Sequence, residues 1–97
     1  MTREAAVGLA QAHFDSGAFL ADLARRVAIR TESQNPESGP ALHSYLADEW
    51  MPSLQALGFQ GEIHANPVSP YGPLLVASRT ESPRLPTVLI YGHGDVI

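Results

Sequence analysis

Residues 88–90 read Val-Leu-Ile, with Thr87 before them and Tyr91 after, and this run has no position left for water. A strand with one solvated face alternates apolar and polar residues, whereas a continuous β-branched and apolar run marks a strand covered on both sides by helices. The run therefore predicts an α/β fold in which residues 87–91 lie in the middle of a mixed sheet. Six residues follow it. A crossover helix and flanking strands need many more than that, so the 97 residues are expected to be the amino-terminal portion of a larger domain. On its own a chain of this length makes at most one small domain with a marginal core.

Upstream, the pattern predicts two helices followed by two further strands. Residues 2–13 are alanine-rich and suit a leader helix or a frayed terminus equally. Asp15 or Ser16 can cap a helix over 17–29, where Phe19, Leu20, Leu23, Ala24 and Val27 recur at spacings of three and four. Residues 31–39 mix Ser, Asn, Pro and Gly as a connection does. Pro40 suits the first turn of a second helix, which buries Leu42, Tyr45, Leu46, Trp50, Leu54 and Leu57 until Gly58 stops it and Phe59 folds back on its last turn. Pro52 lies inside that stretch and predicts a kink or two abutting helices. Phe59, Gly61, Ile63 and Ala65 then alternate with Gln60, Glu62 and His64, the period of a strand with one wet face. A proline-rich connection over 67–73, a strand over 74–78 and a turn over 80–86 lead to the apolar run.

Composition removes several classes of function. The formal charge is -4 and the six arginines are scattered except for the pair Arg25 and Arg26, so no basic stripe is available to nucleic acid. There is no cysteine, which excludes disulfides, thiolate metal sites and a cysteine nucleophile, and leaves His, Asp and Glu as metal donors. No apolar run approaches the ~20 residues of a membrane span, and no basic start feeds an apolar signal core. A cytoplasmic location is the resulting expectation.

The chemistry-bearing residues come last: Tyr91-Gly92-His93-Gly94-Asp95-Val96-Ile97. An imidazole and a carboxylate just past the carboxyl end of a buried strand occupy the edge at which open α/β sheets bind ligands. His93 can give a ring nitrogen to a metal, its neighbouring glycines allow close backbone approach, and Asp95 can brace a ligand from behind. The competing reading is a plain turn, since Gly-His-Gly-Asp is also turn chemistry. His13, His43 and His64 are isolated and read as solvated surface residues, as do Glu32, Glu37, Asp48 and Glu49 on loops and helix surfaces; Tyr45 and Trp50 read as core.

An apolar strand running into Gly92-His93-Gly94-Asp95-Val96 resembles the first metal-site signature of the M20 family of metallopeptidases and deacylases. The order upstream is similar too: a helix, a Ser/Asn/Pro loop, a second helix ending in Leu57-Gly58-Phe59, then strands, so that residues 19–96 fit the family's plan. Ile97 stands where the family more commonly has Val. The resemblance implies that residues 1–97 begin a zinc-exopeptidase-like catalytic domain, with His93 ligating one of two zinc ions and Asp95 as the active-site carboxylate supporting the metal cluster. Cobalt or manganese are possible substitutes. It implies hydrolysis of an amide bond in a small peptide or N-acyl amino acid by metal-activated water, with the remaining ligands and the general base beyond Ile97, and a possible homodimer through a separate domain. The 97 residues alone are then expected to be inactive. Two other readings stay open. One is a serine α/β-hydrolase with His93-Gly94 near an oxyanion hole, which requires a Gly-x-Ser-x-Gly elbow that these residues do not contain; the other is a non-catalytic remnant or structural module.

Overall fold

The computed structural model describes residues 1–68 and 72–96. Its first helix, α1 (Arg3–Asp15), begins where the Thr2 hydroxyl accepts the Ala5 N–H at 3.1 Å and carries Glu4 in its first turn, both favourable at a helix amino terminus. Gly17 ends it. With φ at 85°, Gly17 adopts a left-handed conformation that other residues resist, and it serves at once as the cap of α2 (Ala18–Val27). The expected cap at Asp15 or Ser16 thus falls one residue later, although the Ser16 hydroxyl still takes the Ala18 N–H at 3.3 Å. Phe14 and Phe19 meet across this joint with ring centroids 5.8 Å apart.

The connection after α2 contains one 3-10 turn, Pro36–Ser38, closed by the Asn35 side chain accepting the Glu37 N–H. Helical structure then runs without a break through α3 (Gly39–Ser44), a π-helical stretch (Tyr45–Trp50) and α4 (Met51–Ala56). Pro52 explains the middle piece. It has no N–H for the Asp48 carbonyl, and the ladder absorbs the loss by widening: the Met51 N–H reaches back five residues to Leu46 O, and the Ser53 hydroxyl donates to the Glu49 carbonyl at 2.8 Å. The helix ends as its sequence predicts. Gly58 turns left-handed at φ 86°, its N–H bonds Gln55 O, and the Phe59 N–H bonds Leu54 O, the paired bonds of a Schellman cap.

Strands β1 (Gln60–His64) and β2 (Leu74–Ser78) form an antiparallel pair in which Gln60 faces Ser78 and His64 faces Leu74. Gly61 and Ile63 of β1 are half-buried while Gln60, Glu62 and His64 are exposed, the expected alternation. Helix α4 packs against the first of these faces so closely that a Cβ at Gly61 would stand 2.8 Å from Met51 Sδ. The expected connection over 67–73 lies partly outside the described residues, as does Ile97.

The expected third strand is a correction. Among the described residues the sheet has two strands, both antiparallel, and residues 87–91 lie outside it, with Leu89 94% exposed. A strand needs a hydrogen-bonding neighbour as well as apolar residues, and neither β1 nor β2 runs beside this segment. The expected apolar faces are likewise open: Phe19, Leu20, Leu23 and Val27 of α2 remain exposed, and among the described residues no apolar side chain is fully buried. The molecule is a mixed helix-and-strand fold of the broad α/β class. No helix among the described residues is long and apolar enough to cross a membrane.

Candidate functional site

The chain beyond Gly92 turns back onto the connection that follows α2. Three hydrogen bonds hold it there. The Thr31 hydroxyl donates to the Gly94 carbonyl, the Val96 N–H donates to the Thr31 carbonyl at 3.2 Å, and the Ser33 N–H donates to Asp95 Oδ1 at 2.9 Å. Thr31 is fully buried by this contact, and its own N–H is satisfied by Ile29 O at 2.9 Å, so its polar atoms are paired as burial requires. The bond from the Ser33 backbone, with its hydroxyl adding to the effect, holds the Asp95 carboxyl below the ordinary carboxylate range; desolvation opposes this more weakly, and His93 adds a small attraction. Asp95 is therefore an anion fixed by one oxygen while its carboxylate stays exposed.

Gly94 sits against a ring. A Cβ at this position would overlap the Tyr45 side chain, whereas Gly92 has open space around it. The expected close backbone approach is thus made by one of the two glycines. Tyr45 in turn meets Trp50 edge to face, with centroids 6.4 Å apart and planes at 74°, and the Arg26 guanidinium lies 4.4 Å over the Trp50 ring.

These groups wall an open cleft of about 400 Å³, within the size range of small-molecule sites. Phe19, Leu23 and Val27 of α2 form its apolar side; His93, Asp95, His13, Asp22 and Arg26 supply its polar groups. Charge ties the helical walls together. Arg25 Nε lies 2.9 and 3.0 Å from the two Glu49 oxygens and its Nη1 lies 3.0 Å from Asp22, while Arg26 donates to Ser53 Oγ at 2.8 Å. The Arg26 Nε is buried without a hydrogen bond, with the nearest Glu49 oxygen at 3.7 Å.

His93 and Asp95, the two residues singled out in the sequence, thus line one cleft, and Asp95 is held there by the 31–33 connection rather than by the tip of a covered strand. His43 and His64 are exposed, as expected, and His64 lies 3.5 Å from Glu62 on the sheet surface. One expectation changes: Glu49 is a half-buried junction for two arginines rather than a surface charge. His13 is exposed, as expected, and stands at the cleft rim 3.6 Å from Asp22. Thr31 and Ser33 were missed altogether, because a hydrogen bond between residues more than sixty apart leaves no periodic mark in the sequence.

A catalytic zinc takes three protein ligands and keeps one position open. Among the described residues no group of three or more His, Asp or Glu side chains converges, so His93 and Asp95 form a partial donor set and do not by themselves fit such an ion. No protein-family description matches the chain, and neither a curated protein nor a solved structure matches it.

Proposed function

We propose that this chain supplies one metal ligand, His93, and one supporting carboxylate, Asp95, to a zinc-dependent hydrolase acting on the amide bond of a small peptide or N-acyl amino acid. The reading rests on the resemblance of Gly92-His93-Gly94-Asp95-Val96 to the metal signature of the M20 family. The single structural observation in its favour is that Asp95 is held ionised beside His93 on an apolar-walled cleft. An anion next to an imidazole favours cation binding and orients the ring, and the apolar wall suits the non-reacting part of an amide substrate. The metal, when bound, supplies Lewis-acid activation of water and of the carbonyl. The chain's own part is to hold the ligand ring and its companion charge in place; the other donors and the proton-transferring base lie outside these 97 residues in this reading.

The test is zinc content and amidase activity in the product of the whole reading frame that contains these residues, assayed with dipeptides and N-acyl amino acids. Bound zinc and zinc-dependent turnover are expected, with His93→Ala lowering metal affinity at least about 100-fold, beyond the loss typical of an outer-shell partner. A well-folded product that carries no zinc and cleaves no amide overturns the reading.

A further inference from the structure

Residues 87–91 carry two unmet demands at once. Their side chains are bare: Val88 is 77% exposed, Leu89 94%, Ile90 85% and Tyr91 86%. Their backbone is bare as well, since among the described residues no hydrogen bond reaches an N–H or C=O from Thr87 to His93. The run is nonetheless held at both ends, by the turn in which Ser82 O accepts the Leu85 N–H and by the bonds from Thr31 to Gly94 and Val96. A row of open donors and acceptors joined to β-branched and aromatic side chains is a template for pairing with another strand.

We propose that this run is a homodimer contact, in which two copies of the chain join residues 87–91 as an antiparallel pair about a two-fold axis at Leu89. The inference is independent of the hydrolase reading. The sequence is self-complementary in this register: Leu89 faces Leu89, Val88 faces Ile90 and Thr87 faces Tyr91, with no charge inside the paired run. Pro86 sets the phase. It has no N–H, so it takes a position whose backbone points away from the partner, and the N–H groups of Thr87, Leu89 and Tyr91 then all point toward the second chain. The ends match in charge, because antiparallel alignment brings the turn that carries Arg84 in one copy to the end that carries Asp95 in the other, and both residues are exposed. The exposed surface of 8098 Å² leaves ample area for the roughly 800 Å² that each partner gives to an ordinary stable interface. An isologous contact of this kind closes at two copies, whereas pairing with the edge of β2 in another copy would be heterologous and open-ended.

The chain has no cysteine, so a single introduced thiol can link only to its own copy. In this register Leu89 alone faces itself, at a Cα separation near 5.5 Å that a disulfide spans. Under mild oxidation of the 97-residue protein, Leu89→Cys is expected to form covalent dimer at least about tenfold faster than Thr87→Cys, which lies out of step with its own copy. Sedimentation equilibrium of the parent is expected to show a mass rising with concentration toward twice 10.4 kDa. Leu89→Pro, which removes an inward N–H, should weaken association at least about tenfold, and Val88→Pro, whose N–H points outward, by less than about threefold. Circular dichroism of all four variants should match the parent, because the run lies outside the helices and the β-pair. Equal linking at 87 and 89, or equal loss with the two prolines, overturns the proposal. A parent that stays monomeric overturns it too, as does growth beyond a dimer without linking at 89. If a longer product of the same reading frame is monomeric with the 87–91 amides protected from exchange, further chain covers the run and the second copy is ruled out.

Discussion

Thr31 is polar, lies in a connection and is fully buried, whereas Leu89 is apolar, lies in the most hydrophobic run of the chain and is 94% exposed. Leu89 lies only five residues before Gly94, whose carbonyl Thr31 bonds, so the contrast is not one of distance along the chain from that contact. It is one of partners. The backbone groups at 94–96 find complementary donors and acceptors on residues 31 and 33, and one hydroxyl is enough to complete the set. An apolar segment needs area, and nothing among the described residues supplies it. The chain exposes 8098 Å² of surface, against about 5,400 Å² for a folded monomer of its 10.4 kDa mass. The excess, roughly 2,700 Å², exceeds what one partner contributes to an ordinary protein–protein interface.

Three substitutions or conditions separate the closed region from the open one. The largest effect is expected at Gly94→Ala, where the new methyl overlaps the Tyr45 ring. Overpacking of this kind costs about 1–3 kcal/mol, to be read as lost exchange protection of the Val96 and Ser33 amides and a lower denaturation midpoint. Tyr45→Ala in the same chain should recover part of the loss; if it recovers none, the ring is not what excludes a side chain at 94.

Acid is expected to have a smaller effect on the same contact. The folded Asp95 carboxyl is held below its ordinary value of 3.8 by the Ser33 hydrogen bond. The stabilisation it gives is therefore complete above that value and is lost as pH falls through the lower, folded one. The Ser33 amide resonance, followed by NMR from pH 6 down to pH 2, should move in this acid window and stay flat above about pH 5; a transition near neutrality would refute the assignment.

Smallest of all in stability is Leu89→Lys. Exposed positions tolerate substitution to within about 0.5 kcal/mol, so the denaturation midpoint should hardly change. Sedimentation, however, should show less self-association than the parent, because a charge in an exposed strand-like run opposes edge pairing. Equal association of both proteins would place the adhesive surface elsewhere, with the open face of α2 next in line.

Local signals in the sequence translated directly into structure. Pro40 opens a helix, Gly58 closes it with φ at 86°, Pro52 disrupts its ladder, and Gln60–His64 alternates as a strand must. Each of these is decided by one residue's backbone chemistry or by a period of two. What failed needed information from far along the chain. The run at 88–90 reads as a strand in need of cover, but an apolar run does not specify its supplier, and the segment stays exposed and unpaired here. His93 and Asp95 were identifiable by residue type and by their glycine neighbours, yet the groups that hold them were not, since Thr31 and Ser33 sit in what reads as ordinary connection. Glu49 was misjudged for a related reason: its partners Arg25 and Arg26 come from a different helix.

The widened turn ahead of Pro52 reaches further than a local repair. On a regular α-helix, residues five apart point about 140° away from each other, so Tyr45 and Trp50 would look in different directions. The π-helical stretch turns them into edge-to-face neighbours, one stacked under Arg26 and the other pressed on Gly94. A ring nitrogen that cannot donate at position 52 is thereby felt at position 94: an imino acid with no chemistry of its own acts as the tuning peg for the aromatic wall that meets Gly94.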